Sequence, residues 1–144
     1  MKRIIFVLVS VAAIFTSCER IVLDGGWDPI EVDKKHVNFP SEGGQNTVST
    51  LNYTSWWISG AHGDKTQVDG HWEYADYVYP ISSVEGYVTY DILEGGWYHV
   101  QVPDKGKSNS IIITVDPNEG SESRTAIIEM TVGDAFTSIS ISQQ

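Results

Sequence analysis

The C-terminal run Ile139-Ser140-Ile141-Ser142 constrains the fold most, because it alternates apolar and hydroxyl side chains residue by residue. Successive side chains on a strand point to opposite faces, so such a run packs one face and wets the other. The same character extends back along the chain. Beyond Lys34 no window of about eleven residues places apolar groups at i, i+3, i+4 and i+7; short β-rich runs separated by Gly, Asn, Asp and Pro appear instead. His36 to Pro40 reads as a first strand with Val37 and Phe39 on one face, Glu42-Gly43-Gly44 as a turn, and Gln45 to Leu51 as a second strand. Trp56 to Ser59 forms a compact third. Ser110 to Val115 is β-branched almost throughout and Asp116 to Gly120 turns the chain. Arg124 to Val132 and Thr137 to Ser142 then close it around Gly133-Asp134. The expectation is an all-β sandwich or barrel.

Composition narrows the class. A chain of 144 residues holds one domain, and 41% hydrophobic with 19% charged residues fits neither a disordered tail nor a membrane-spanning protein. A single Cys rules out a disulfide scaffold and paired-cysteine zinc sites. Nine basic against 19 acidic residues give a net charge of −10, which repels phosphate backbones and argues against a nucleic-acid partner.

The N-terminus reads as an address. Lys2 and Arg3 precede an apolar run from Ile4 to Phe15 broken only by Ser10. That run is too short for a comfortable bilayer span, which needs about 20 residues, and has the length of a secretory h-region. Phe15-Thr16-Ser17-Cys18 resembles the lipobox of bacterial lipoproteins, with Phe15 where Leu is commonest. By that resemblance residues 1–17 are a signal peptide, Cys18 is lipidated, and the protein sits on the outer membrane, at the cell surface or on the periplasmic face. Loss of Lys2 and Arg3 leaves 7 basic against 19 acidic residues, a charge of −12. Acyl chains and not a basic patch then hold the membrane, at about 0.8 kcal/mol per buried CH₂. Residues 18–33, with Gly25-Gly26 and Pro29, read as a tether carrying one large apolar group, Trp27.

Aromatic residues are unevenly spread. All seven Tyr and four of five Trp fall between Tyr53 and Tyr98, so 11 of the 16 aromatics occupy 46 residues. An aromatic ring has an apolar face and sugar rings have CH faces that stack on it, while neighbouring carboxylates take the hydroxyls. Trp72 and Tyr74 share one face of an extended segment, and Tyr77 and Tyr79 share a face of the next. The parity change across Ala75-Asp76 either brings the pairs together or sets them on opposite faces. Candidate ligand-binding residues are Trp72, Tyr74, Tyr77, Tyr79 and Tyr87, with Glu73 and Asp76 as polar neighbours. The competing expectation is cross-strand aromatic pairing that stabilises a hairpin.

Nothing points to catalysis. No G-x-S-x-G elbow, H-E-x-x-H helix or G-x-x-x-x-G-K-[ST] loop occurs. Glu73, Asp76, Glu85 and Asp91 read as solubilising charges before they read as a glycosidase pair. His62-Gly63-Asp64 with Asp69-Gly70-His71 lacks EF-hand order and closed zinc spacing. No metal and no cofactor is expected.

An ordered series now carries a resemblance: Val37-Asn38-Phe39, Gly43-Gly44, a Trp strand, Gly96-Trp97-Tyr98-His99-Val100, Ile111 to Val115, Asn118, Arg124-Thr125-Ala126-Ile127-Ile128, Gly133, and the closing Ile139 to Gln143. It resembles the BACON domain, the immunoglobulin-like β-sandwich whose name stands for Bacteroidetes-associated carbohydrate-binding often N-terminal. The resemblance implies a sandwich over residues 34–144, with Trp56, Trp57 and Trp97 as core residues. The stretch at about 61–91 is longer than the family's usual connection and reads as an inserted aromatic-rich hairpin. Function follows as non-catalytic binding of a polysaccharide or mucin-type glycan. The alternative is a spacer or protein–protein module that contacts other envelope proteins and binds no sugar.

Overall fold

A computed structural model describes residues 28–144. The signal peptide, Cys18 and Trp27 lie outside the described residues. Ten strands follow in chain order: β1 (His36–Phe39), β2 (Gly44–Ser49), β3 (Trp57–His62), β4 (Lys65–Val68), β5 (His71–Tyr74), β6 (Ile92–Gly95), β7 (Tyr98–Gln101), β8 (Ser110–Val115), β9 (Arg124–Thr131) and β10 (Phe136–Gln143). Two four-stranded sheets face each other. One has the order β1-β10-β9-β3 and the other β2-β8-β7-β6, while β4 and β5 form a separate hairpin. The first strand pairs parallel with the last, His36 opposite Ser140 through Phe39 opposite Gln143; all other pairs are antiparallel. The architecture is the expected all-β, immunoglobulin-like sandwich.

Alternation decides which side chains enter the core. On β10, Ile139 and Ile141 are buried and Ser138, Ser140 and Ser142 face outward; on β8, Ile111, Ile113 and Val115 are buried. With Val37, Phe39, Val48, Ile58, Leu93, Val100, Ala126, Ile128 and Met130 they form one continuous apolar layer. Each such side chain contributes about 1.5–3 kcal/mol on leaving water. The closing Gln143 is buried too. Its amide donates to the carbonyls of Pro40 (3.0 Å), Ser41 (3.2 Å) and Asp116 (2.9 Å), and its Oε1 accepts from Arg124 Nε at 2.8 Å.

Two boundaries differ from the sequence expectation. Ile30 is buried, Val32 bridges Thr50, and Asp33 N donates to the Ser49 carbonyl at 3.0 Å. The sandwich therefore takes in residues that the sequence assigns to the tether, because Ile30 supplies an apolar anchor that the acidic, glycine-rich composition hid. Strand β2 ends at Ser49, leaving Leu51 exposed where the second strand was expected to end.

Candidate functional site

Strand β3 builds the site. Trp57 lies opposite Thr131 on β9, and Thr131 lies opposite Phe136 on β10, so the three stand in line across the outer face of the sheet. Two inter-strand spacings put Trp57 and Phe136 about 9–10 Å apart at the backbone. Thr131, buried between them, donates its hydroxyl to the carbonyls of Gly133 (2.9 Å) and Ala135 (3.1 Å), which fixes the turn that delivers Phe136. Further along, a bulge at Ser59 shifts the register from Ile58–Met130 to Gly60–Glu129. The extra residue turns Gly60 and then His62 toward the same outer face as Trp57.

Gly60 has no side chain there, and the Tyr77 ring uses the space: a Cβ at Gly60 would collide with the Tyr77 phenol. The stretch after the β4–β5 hairpin is held on β3 by paired hydrogen bonds between Ala61 and Val78, 3.0 and 2.8 Å. The hairpin itself turns at Asp69-Gly70, both at positive φ (50° and 80°), as a two-residue primed turn requires.

The parity change at Ala75-Asp76 brings the tyrosines together. Tyr74 and Tyr77 meet edge to face with centroids 5.9 Å apart, and Tyr77 and Tyr79 are 4.8 Å apart at 60°. Both Tyr74 and Tyr77 pack on the ring of His62, at 4.6 and 6.2 Å, which buries that histidine completely although it points outward from the sheet. His62 Nδ1 donates to the Gly63 carbonyl at 2.6 Å, and Nε2 faces Glu129 at 3.5 Å. Burial first, then the Glu129 carboxylate, raises the Tyr77 phenol above its ordinary pKa.

Three clefts open along this surface. The first, about 510 Å³, is lined by Ser59, Tyr77, Glu129, Phe136, Thr137 and Ser138. A second, about 260 Å³, is lined by Trp57, Ile58, Ser59, Tyr79, Pro80 and Tyr90. The third, about 360 Å³, reaches from Trp56, Trp57 and Tyr90 to Val88, Thr89, Lys105 and Gly106. Tyr90 is presented from a left-handed backbone (φ 46°) in a loop organised by Asp91. The buried Asp91 carboxylate accepts from Ser83 N (2.8 Å), Ser83 Oγ (2.5 Å) and Thr89 Oγ1. Burial alone would raise its pKa, but these hydrogen bonds prevail and hold it below the ordinary carboxylate value.

The structure therefore gathers only some of the predicted residues. Tyr77 and Tyr79 line clefts, Tyr79 being 75% exposed, and Tyr74 covers His62 beside them. Asp76 faces a different cleft of about 250 Å³, with Gly63, Val78, Trp97 and Tyr98. Glu73 sits exposed in β5 opposite Thr66, and Tyr87 is exposed on its loop; neither lines any of these four clefts. Trp72 lies in β5 opposite Gln67, and its side chain is outside the described residues. Trp56 is buried and Trp97 is partly buried beneath the Arg124 guanidinium at 4.6 Å. Trp57, expected in the core, is instead 37% exposed, because it shares the outward face of β3. Sequence reasoning missed Phe136, although its parity with Ser138 and Ser140 already marked it as an aromatic on the wet face.

Among the described residues no three of His, Cys, Asp and Glu lie together as a metal site, and no helix is long and apolar enough to cross a membrane. Residues 87–144 match the BACON family model, described as "Putative binding domain, N-terminal". Over these residues the chain is similar to a BACON domain. The match opens at Tyr87, so it takes in β6 to β10 and leaves β1 to β5 outside. The fold is similar to that of a protein from Bacteroides thetaiotaomicron solved by NMR, with 24% identity, 88% of this chain and 96% of that chain covered, and a TM-score of 0.57. No curated protein matches the chain.

Proposed function

We propose that this protein is a non-catalytic carbohydrate-binding lipoprotein, held to the outer membrane through Cys18, whose ligand is a polysaccharide or mucin-type glycan. The observation that carries the reading is the first cleft. Two aromatic walls, Tyr77 and Phe136, flank a carboxylate, Glu129, and the hydroxyls of Ser59, Thr137 and Ser138. Rings take the CH faces of a sugar, and a carboxylate flanked by hydroxyls takes its OH groups. The lipid anchor is supported by the basic start, the apolar run and the small residues before Cys18.

Affinity electrophoresis of the full chain in detergent, against host and plant polysaccharides, tests the reading. Retardation by at least one polymer is expected, weakened about tenfold in Phe136→Ala, equivalent to about 1.4 kcal/mol of binding. Unretarded migration of folded protein across the whole panel sinks it. The interlocking of Tyr74 and Tyr77 on His62 favours the second reading, a spacer or protein-contact module, for those two rings.

A further inference from the structure

The three clefts are not separate. The first and second share Ser59, and the second and third share both Trp57 and Tyr90. They adjoin in a row, a segmented groove from Phe136 and Ser138 on the outer face of the sheet, past Tyr77, Tyr79 and Trp57, to Val88 and Lys105. We infer that this groove takes the interior of a single neutral, linear glycan chain, one stretch of sugars to each cleft, and that it recognises neither a chain end nor a flat crystalline surface. The inference rests on the carbohydrate reading above and adds the class of ligand.

Three observations carry it. First, both ends of the groove are open: Phe136 is 64% exposed at one and Val88 74% exposed at the other. A site for a chain end needs a closed pocket whose polar groups surround the terminal hydroxyls, whereas here a polymer can enter at one end and leave at the other. Second, the rings are tilted. Tyr77 and Tyr79 stand at 60° to one another with centroids 4.8 Å apart, so they offer no shared plane to a crystalline face. Each ring is instead available to a different sugar of a chain that twists as it runs. Ser59, Thr137 and Ser138 line the first cleft with Tyr77 and Phe136, and supply hydroxyls where ring hydroxyls of interior sugars need partners. Third, charge excludes acidic polymers. Glu129 lies in the first cleft, Lys105 alone offsets it at the far end, and the whole chain carries −10. A uronate or sulfate polymer would meet a repelling carboxylate and a repelling field.

The test uses the full chain in detergent, with mixed-linkage β-glucan, xylan and galactomannan as neutral probes and polygalacturonate and chondroitin sulfate as acidic ones. Retardation by a neutral polymer and not by the acidic ones is expected. Oligomers of the retarding polymer should compete progressively better with length, and borohydride reduction of their ends should change nothing. Tyr79→Ala, in the middle cleft, should weaken the longest oligomer about tenfold while leaving the disaccharide within about twofold, with the melting temperature preserved. Competition by the monosaccharide as strong as by the longest oligomer, or loss of competition on end reduction, overturns the inference and leaves carbohydrate binding standing. Equal retardation by the acidic polymers overturns the claim of neutrality and hence the inference. Co-sedimentation with phosphatidylcholine vesicles, blocked by Tyr79→Ala, in the absence of any retardation overturns both readings and assigns the surface to lipid.

Discussion

Gly60 and Tyr77 form the most exacting contact of the site. Gly60 has an ordinary backbone, so Gly60→Ala strains nothing in the main chain, yet its Cβ collides with the Tyr77 ring. Displacing the ring is expected to reduce stability by about 1–3 kcal/mol, read as a fall in melting temperature, and to abolish retardation by a polymer that retards the parent protein. Asp91 gives a second residue-scale prediction. Its pKa is lower in the folded than in the unfolded chain, so the stability it contributes is complete above the ordinary carboxylate range and is lost as pH falls through its folded value. Asp91→Asn should therefore flatten the acid side of a plot of melting temperature against pH; an unchanged acid limb contradicts this assignment. How much of the site was legible divides along the same lines. Tyr77 and Tyr79 were readable as aromatics in a polar insertion. Trp57 was not, because whether it faces in or out depends on β9, a partner some seventy residues away in sequence.

The elements differ in how firmly they are held. Strand β9 is bonded on both sides, to β10 and to β3, and buries Ala126, Ile128 and Met130. The β4–β5 hairpin pairs only with itself, and a lone two-stranded ribbon is marginal in water. Amide hydrogen exchange should find β9 the slowest and β4–β5 among the fastest, since protection follows burial and bonding. Slow exchange in β4–β5 would mean that the hairpin packs more firmly than its pairing implies. At the end of β10, Gln143→Ala removes the acceptor of Arg124 Nε and one of the donors to each of three carbonyls, with an expected loss on the order of 1 kcal/mol measurable by chemical denaturation. Strands of the last third were legible nearly to the residue, since β8 spans the expected Ser110–Val115 and β9 ends at Thr131, one residue before the expected Val132. Their alternation is strong and uninterrupted. The third strand was not, because the bulge at Ser59 is created by register against β9 and leaves no mark in the local pattern of side chains.

For the molecule as a whole, the all-β class followed from periodicity alone, while the sandwich's inclusion of Ile30 did not. A single isoleucine in an acidic, glycine-rich segment carries no period. The proposed anchor is tested at this scale: Cys18→Ala should abolish acyl labelling and move the protein from the membrane pellet to the soluble fraction. The way the chain enters the sandwich has a further consequence. Asp28 and Pro29 dock on the loop after β2, through hydrogen bonds from Tyr53 (2.7 Å) and Asn52 (2.8 Å), and that loop leads into Trp57. The first described residues are thus fastened to the loop that runs on to Trp57. Nine residues lie between Cys18 and Asp28, so the ten steps of chain from one to the other reach at most about 36 Å. Copies planted on one surface would then grip a common polymer strand close to that surface, and feeble individual holds would add up to a durable one.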